Sequence, residues 1–196
     1  ARVLVLGAGV AGVQAARMAA GAGAEVTVVN RSLAKLRALE ALMPGRIRTR
    51  PSTRDAIDDE LAGADVVIGA ALVAGASTPR LITRPMLKSM KPRSVIVDIS
   101  IDQGGCCETS RATTHSDPTY EVDGITHYCV ANMPGAVPIT STFALTNATM
   151  PFVVKLANEG ASAALHSDPG FMAGLNVCDG KLTYEPVALA QGLEYT

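Results

Sequence analysis

Two stretches of this 196-residue chain hold residue types whose spacing could do chemistry. The first is Gly7-Ala8-Gly9-Val10-Ala11-Gly12, which follows the apolar run Val3-Leu4-Val5-Leu6 and opens an Ala-rich stretch that reaches Gly21. Glycines at this spacing allow a sharp turn at Gly7, a backbone bare of Cβ at Gly9, and a close crossing of helix over strand at Gly12. The free N–H groups and positive dipole end of a helix starting there would receive a pyrophosphate. The second stretch is Ile99-Ser100-Ile101-Asp102-Gln103-Gly104-Gly105, which leaves the carboxyl end of the run Ser94–Ile99. Asp102 is a carboxylate at the edge where parallel sheets collect their ligands, so it is the candidate for acid–base work, with a loop-capping role as the alternative. Asp98, inside the apolar run, is expected to be satisfied by backbone N–H groups. His127, alternating with apolar neighbours in Ile125–Val130, is expected to be a hydrogen-bonded structural histidine.

About 20 residues past the first glycine, where a dinucleotide fold reads the ribose, the β-branched run Val26–Val29 ends in Asn30-Arg31-Ser32. An acidic residue there would accept from a 2′-hydroxyl and repel a 2′-phosphate. A neutral amide beside a guanidinium and a hydroxyl could receive a phosphate. Equally, Asn30 could bond the ribose as a neutral group while Arg31 stays solvated. Both cofactors stay open on these residues, NAD by the ribose reading of Asn30 and NADP by the phosphate reading of Asn30-Arg31.

Composition narrows the setting. A formal net charge of −1 gives no electrostatic case for nucleic acid or an anionic membrane. Aromatic residues make up 4% and Trp is absent, so a core must come from Ala, Val, Leu and Ile, which suits close helix-on-sheet packing. Cys106, Cys107, Cys129 and Cys178 lack zinc-ligand spacing and read as reduced thiols of a cytoplasmic protein, with no metal site expected. No apolar run reaches membrane-spanning length. A chain that lacks an initial Met and opens inside its first strand reads as part of something longer.

The elements that must position these residues alternate strand and helix. Strands are expected at Val3–Leu6, Val26–Val29, Ile47–Thr49, Ala64–Gly69, Ser94–Ile99 and Ile125–Val130. Helices are expected over 10–21, Leu33–Leu42, Thr53–Leu61 (capped by Ser52 or Thr53), Pro85–Met90, and Ile139–Asn158 with an interruption at Pro151. Val73–Thr83 and the polar residues 106–124 read as loops. The fold class is α/β: a Rossmann-type, doubly wound, mostly parallel sheet with helices on both faces. Residues 1–160 form the dinucleotide-binding domain. Residues 161–196, with a hairpin near Asp179-Gly180, are too few for a core and are expected to pack on a neighbour.

From Arg2 to about Gly160 the chain resembles the nucleotide-binding half of the alanine dehydrogenase and transhydrogenase superfamily. The resemblance is carried most specifically by Ala64–Ala70, Met90-Lys91-Pro92, Val97–Cys106 and Tyr128–Pro138, with Thr140–Thr142 and Ala144–Thr149 alongside. It implies that Val10 and Ala11 touch the pyrophosphate, that Asn30, Lys35 and Ser52 surround the adenosine end, and that Ala71, Leu72, Ile99, Ser100, Ile101, Asp102 and Arg111 line the remaining path. Val130, Ala131, Asn132 and Met133 would steer the nicotinamide. The family's acidic ribose ligand falls where this chain has Asn30.

The resemblance further implies oxidative deamination of L-alanine to pyruvate and ammonia, with Asp102 stabilising a cationic imine and orienting water. The substrate-binding Arg and Lys and the catalytic His belong to an N-terminal domain that this chain lacks and to which the tail would return. A homo-oligomer is expected. Two rivals are the nucleotide domain of a proton-translocating transhydrogenase, which typically has a neutral loop in place of Ile101-Asp102-Gln103, and a non-catalytic dinucleotide sensor.

Overall fold

The computed structural model describes residues 1–73 and 78–195. Residues 74–77 of the loop expected over Val73–Thr83 lie outside the described residues. Two compact units divide the chain, the first ending at Met133 and the second running on from Pro134.

The first unit is built on a seven-stranded sheet: β1 (Arg2–Leu6), β2 (Glu25–Asn30), β3 (Ile47–Pro51), β4 (Val66–Gly69), β5 (Val95–Asp98), β6 (Thr119–Val122) and β7 (Ile125–Tyr128). Their order is β3-β2-β1-β4-β5-β7-β6, with every pairing parallel except β6 against β7. The order reverses between β1 and β4, so the chain ends on either side of that line splay apart and open a crevice. This is the expected Rossmann-type, doubly wound sheet.

Both faces of the sheet are covered, which is why the strands read as continuous apolar runs rather than as alternating ones. Along β1, Val3 and Val5 face α1 (Val10–Gly21) and α2 (Leu33–Leu42), packing with Ala16, Ala20, Leu36 and Leu39. Leu4 and Leu6 face the opposite way, against Ile57 and Leu61 of α3 (Arg54–Gly63) and against Leu87 and Ile96. The Ala-rich face of α1 brings its backbone close to the sheet. Ser32 caps α2 by accepting from the Lys35 amide at 3.3 Å, and Thr53 caps α3 by accepting from the Ala56 amide at 3.2 Å.

The strand β6 falls in a stretch whose polar composition reads as loop. Tyr120 and Val122 alternate with Thr119 and Glu121, and Asp123 (φ +52°) with Gly124 (φ +79°) closes a two-residue hairpin into β7. An Asp-Gly pair with both residues left-handed matches the twist of an antiparallel ribbon.

The second unit opens with α4 (Pro138–Glu159), which runs unbroken through Pro151 instead of stopping there. Pro151 removes one N–H from the helical ladder without ending it. No residue of α4 is buried, and Ile139 and Phe143 are 75% and 66% exposed. Short helices α5 (Ala161–His166), α6 (Pro169–Met172) and α7 (Glu185–Gln191) follow, with a two-residue hairpin of β8 (Val177–Cys178) and β9 (Lys181–Leu182) before α7. Ala164 and Ala188 are its buried apolar side chains among the described residues.

Candidate functional site

At the carboxyl ends of β1, β2 and β4 lies a cleft of about 350 Å³, located at the point where the strand order reverses. Its floor is the glycine turn. Gly7 adopts φ +116°, and a Cβ there would lie 2.5 Å from the Ala70 carbonyl oxygen. Gly12 is buried in α1, where a Cβ would collide with the Gly7 carbonyl oxygen, so β1 and α1 cross at a separation only glycine permits. Gly9 is different. Its absent Cβ would meet no atom of the described residues within 4 Å, so the missing side chain leaves space in front of α1.

Gly9 is also the N-cap of α1, and no side chain caps that end of the helix. The first-turn amides therefore keep hydrogen-bonding capacity that an anion could take. The bare Gly9 and the uncapped helix end together fit the pyrophosphate of a dinucleotide.

Asn30, Arg31, Lys35 and Ser52 form one side of the cleft, and Ala71 and Leu72 another, as the sequence reading groups them. Ser32, the hydroxyl expected beside Asn30 and Arg31, and Ala70 at the end of β4 also line it, and the structure adds Ala8, Val29, Val73, Pro79 and Leu81. Val10 lines an adjoining groove of about 410 Å³ between α1 and α2, which shares Ala8, Gly9 and Lys35 with the cleft. Ala11 is exposed on the first turn of α1.

Asn30 has a role in the protein itself. Its Oδ1 accepts from the Ala8 amide at 3.1 Å and its Nδ2 donates to the Ser32 carbonyl at 3.2 Å. These two partners fix which way the amide faces, and one Nδ2 hydrogen is left to point elsewhere. A carboxylate could take the Ala8 amide but could not donate to Ser32.

The other predicted residues lie outside this cleft. Ile99–Gln103 forms a 3-10 turn beyond β5. Ser100 is buried, and its hydroxyl donates to the Ala71 carbonyl at 2.7 Å, tying this turn to the wall of the cleft. Ile101 and Val130 are buried, Ile99, Ala131 and Met133 are half-buried, and Asn132 is exposed at φ +51°. Asp102 is exposed, and its Oδ1 accepts from the Asn132 amide at 3.1 Å. The Asn132 carbonyl in turn accepts from His115 Nε2 at 3.1 Å. Arg111 is exposed, with its guanidinium 4.0 Å from the centroid of the Tyr120 ring and its amide donating to the Tyr120 hydroxyl at 2.7 Å.

Asp98 is fully buried and accepts four hydrogen bonds, from the amides of Ser100 (3.1 Å), Cys106 (2.9 Å) and Cys107 (3.2 Å) and from the Ser110 hydroxyl (2.6 Å). That is the backbone-satisfied carboxylate expected of its place in an apolar strand. His127 is also fully buried. Its Nδ1–H donates to the Ile125 carbonyl at 3.0 Å, which leaves Nε2 to accept from the Thr109 hydroxyl at 2.8 Å. Burial holds its pKa below the ordinary 6.5, against the opposing pull of Asp98 and Asp123. Burial likewise raises the thiols of Cys106, Cys107 and Cys129. They are poor nucleophiles in consequence. No group of three or more His, Cys, Asp or Glu side chains suited to a metal occurs among the described residues.

A doubly wound sheet with an open glycine turn at its switch point defines the dinucleotide-binding domain of a dehydrogenase-type protein. The family model described as "Alanine dehydrogenase/PNT, C-terminal domain" matches residues 1–185, and the chain belongs to that family. It is 61% identical to the alanine dehydrogenase of Halomonas elongata, an alignment that covers 100% of this chain and 53% of that relative. A solved L-alanine dehydrogenase superposes with a TM-score of 0.85 at 45% identity, over 97% of this chain and 53% of its own. A transhydrogenase from Sinorhizobium meliloti superposes less well, with a TM-score of 0.68 at 31% identity over 78% of this chain and 43% of its own. The chain thus spans about half the length of the curated relatives it matches.

Proposed function

We propose that this chain is the NAD-binding part of an L-alanine dehydrogenase, which converts L-alanine to pyruvate and ammonia and runs in reverse. The observation that carries this reading is Asp102, an exposed carboxylate with one hydrogen bond among the described residues, on a turn tied through Ser100 to the wall of the cleft. A reaction that passes hydride between two nucleotides has no need of such a group. An amino-acid oxidation does, because charge develops on an imine and water must be activated. The alanine dehydrogenase relatives match the whole chain, which supports this reading over the transhydrogenase one.

In this reading the bound NAD supplies the hydride acceptor. The amides at the start of α1 and the open face of Gly9 hold its pyrophosphate, and Asn30 presents its remaining Nδ2 hydrogen to the adenosine ribose. Lys35, Arg31 and Ser52 flank that end. Ala71, Leu72 and the backbone of 99–102 line the path toward the nicotinamide, which Val130, Ala131, Asn132 and Met133 orient, with Arg111 nearby. Asp102 faces the cationic imine and draws a proton from the water that adds to it. The partner domain is the N-terminal half present in the relatives, which supplies the groups that hold the amino acid. Residues 161–196 return to it, leaving 1–160 as the cofactor domain. The apolar surface of α4 supports a homo-oligomeric assembly, and the unpaired cysteines support a cytoplasmic setting.

The test uses two proteins. The full-length gene product is expected to make NADH from NAD and L-alanine, and the present 196-residue chain to bind NADH without turnover. Turnover by the chain alone overturns the two-half reading, and a full-length protein inert toward L-alanine overturns the reaction.

A further inference from the structure

We propose that Arg80 is a positioning residue that locks the Asp102 turn to the wall of the dinucleotide cleft, an inference that rests on the reading of Asp102 given above. The two N–H groups of one nitrogen, Nη1, are shared among three carbonyls of the segment that follows Asp102: Gly104 at 2.6 Å, Gly105 at 3.0 Å and Cys107 at 2.9 Å. Carbonyls so close in sequence normally point apart. Here Gly104 (φ +91°) and Gly105 (φ +81°) turn in the left-handed region and rotate their oxygens toward one place. Oxygens converging in this way repel one another unless a cation sits among them.

The same segment is held from its other side by Asp98, which collects the amides of Ser100, Cys106 and Cys107. A Cβ on Gly105 would fall 2.7 Å from Asp98 Oδ2 and 2.9 Å from the Ser110 side chain, so there is no slack on that side. The backbone from 99 to 107 is therefore held between a buried anion that takes its N–H groups and a cation that takes its carbonyls. Asp98 belongs to the sheet and stays with it. Arg80 stands on a different footing, because its two neighbours, Pro79 and Leu81, line the cleft.

Backbone bonds run alongside it from Thr78 to Gln103 (3.0 Å) and from Leu81 to Cys106 (2.7 Å). A dinucleotide pressing on Pro79 and Leu81 thus acts on the strip that carries Arg80. Arg80 passes that contact to the glycine pair two residues beyond Asp102. Its effect is on how often Asp102 is in place when cofactor is bound, rather than on how tightly the cofactor binds.

The test compares wild type, Arg80→Met and Arg80→Lys in the full-length protein. Lysine suits the rescue because its single nitrogen keeps the positive charge and brings three N–H donors to the three carbonyls that gather around one atom. Arg80→Met is expected to lower kcat for L-alanine by about tenfold or more while KM for NAD moves less than about threefold, and Arg80→Lys to recover kcat to within about threefold. Amide hydrogen exchange at residues 104–107 is the second readout. NADH is expected to slow it in wild type and Arg80→Lys but not in Arg80→Met. Unchanged kcat in Arg80→Met, no advantage of Lys over Met, equal slowing by NADH in all three, or failure of Arg80→Met to fold would each overturn the proposal. If wild type does not oxidise L-alanine, the reaction is wrong while the exchange data still decide the role of Arg80.

Discussion

Two turns leave the same edge of the sheet, one after β1 and one after β5, and they treat their backbone in opposite ways. The turn at Gly7–Gly12 ends in a helix whose first amides no side chain caps, with empty space in front of Gly9. The turn at Ile99–Cys107 gives its amides to Asp98 and its carbonyls to Arg80, and what it leaves exposed is a side chain, Asp102. In the proposed reading a bound dinucleotide completes the first, whereas Asp98 and Arg80 hold the second from within the protein. In that reading, an anion that is bound and released meets backbone dipoles, whereas the carboxylate that does chemistry stands on a turn whose amides at Ser100, Cys106 and Cys107 and carbonyls at Gly104, Gly105 and Cys107 are already taken.

The contrast can be sharpened most strongly at Asp102. Asp102→Asn keeps an oxygen for the Asn132 amide but removes the charge, so kcat of the full-length enzyme is expected to fall by about 10²–10⁴ with NAD affinity nearly unchanged. Steady-state kinetics with calorimetry would check this, and near-full kcat would reduce Asp102 to a loop cap.

The first turn is broken by volume rather than by charge. Gly12→Ala drives a methyl into the Gly7 carbonyl, a backbone atom with nowhere to go, and should destabilise the domain by about 1–3 kcal/mol or more in urea unfolding. Gly9→Ala faces open space and loses only the modest N-cap preference of glycine over alanine, so it should cost clearly less stability than Gly12→Ala while weakening NADH binding. Equal effects of the two substitutions on stability would erase the distinction between packing glycine and ligand glycine.

A smaller effect is expected at the ribose end. If Arg31 meets a 2′-phosphate, Arg31→Ala should weaken NADP binding by about tenfold relative to NAD, the worth of one charge-assisted contact. Asn30→Asp should move preference toward NAD, at some cost in stability because the carboxylate has no hydrogen for the Ser32 carbonyl. Equal changes for both cofactors at one salt concentration would remove the phosphate argument.

The smallest effect concerns the sheet itself. His127 is neutral in the fold with its pKa held below 6.5, so on acidification the unfolded chain takes up a proton that the folded one refuses. Stability is thus unaffected by this group above 6.5 and is lost as pH falls from there toward the depressed native value, at up to about 1.4 kcal/mol per pH unit. His127→Gln should flatten that part of the pH profile of urea midpoints.

How much of this was legible follows from the range of the interactions. The glycine turn and the buried roles of Asp98 and His127 are written in short windows of sequence, and the structure agrees with them, whereas the strand order that puts the reversal between β1 and β4 is set by pairings between distant segments. The strand β6 is also local, and Asp123-Gly124 marked its hairpin, but the charged and hydroxyl residues around it masked the alternation of Tyr120 and Val122. Arg80 left no local mark, because its three partners lie more than twenty residues away and one of its sides is a Pro-flanked loop. In the sequence Asn30 points only toward a ligand, since nothing there shows that the Ala8 amide lies within reach of its side chain. Helix α4 ran past Pro151 because one missing ladder bond is a smaller loss than ending a helix of this length.

The two outermost strands of the sheet have a consequence for how copies of this protein behave in a crowded solution. On β3, Arg48 is paired with Glu25 and Arg50 with Asp59 and Glu60, and Pro51 closes the strand without an amide to donate. On the far side β6 is four residues long, carries Glu121 and turns back at Asp123-Gly124. Short, charged and proline-ended borders are poor templates for strand addition, so the sheet does not grow from one molecule into the next. The protein can therefore keep a continuous apolar β core without seeding fibrils at its rims.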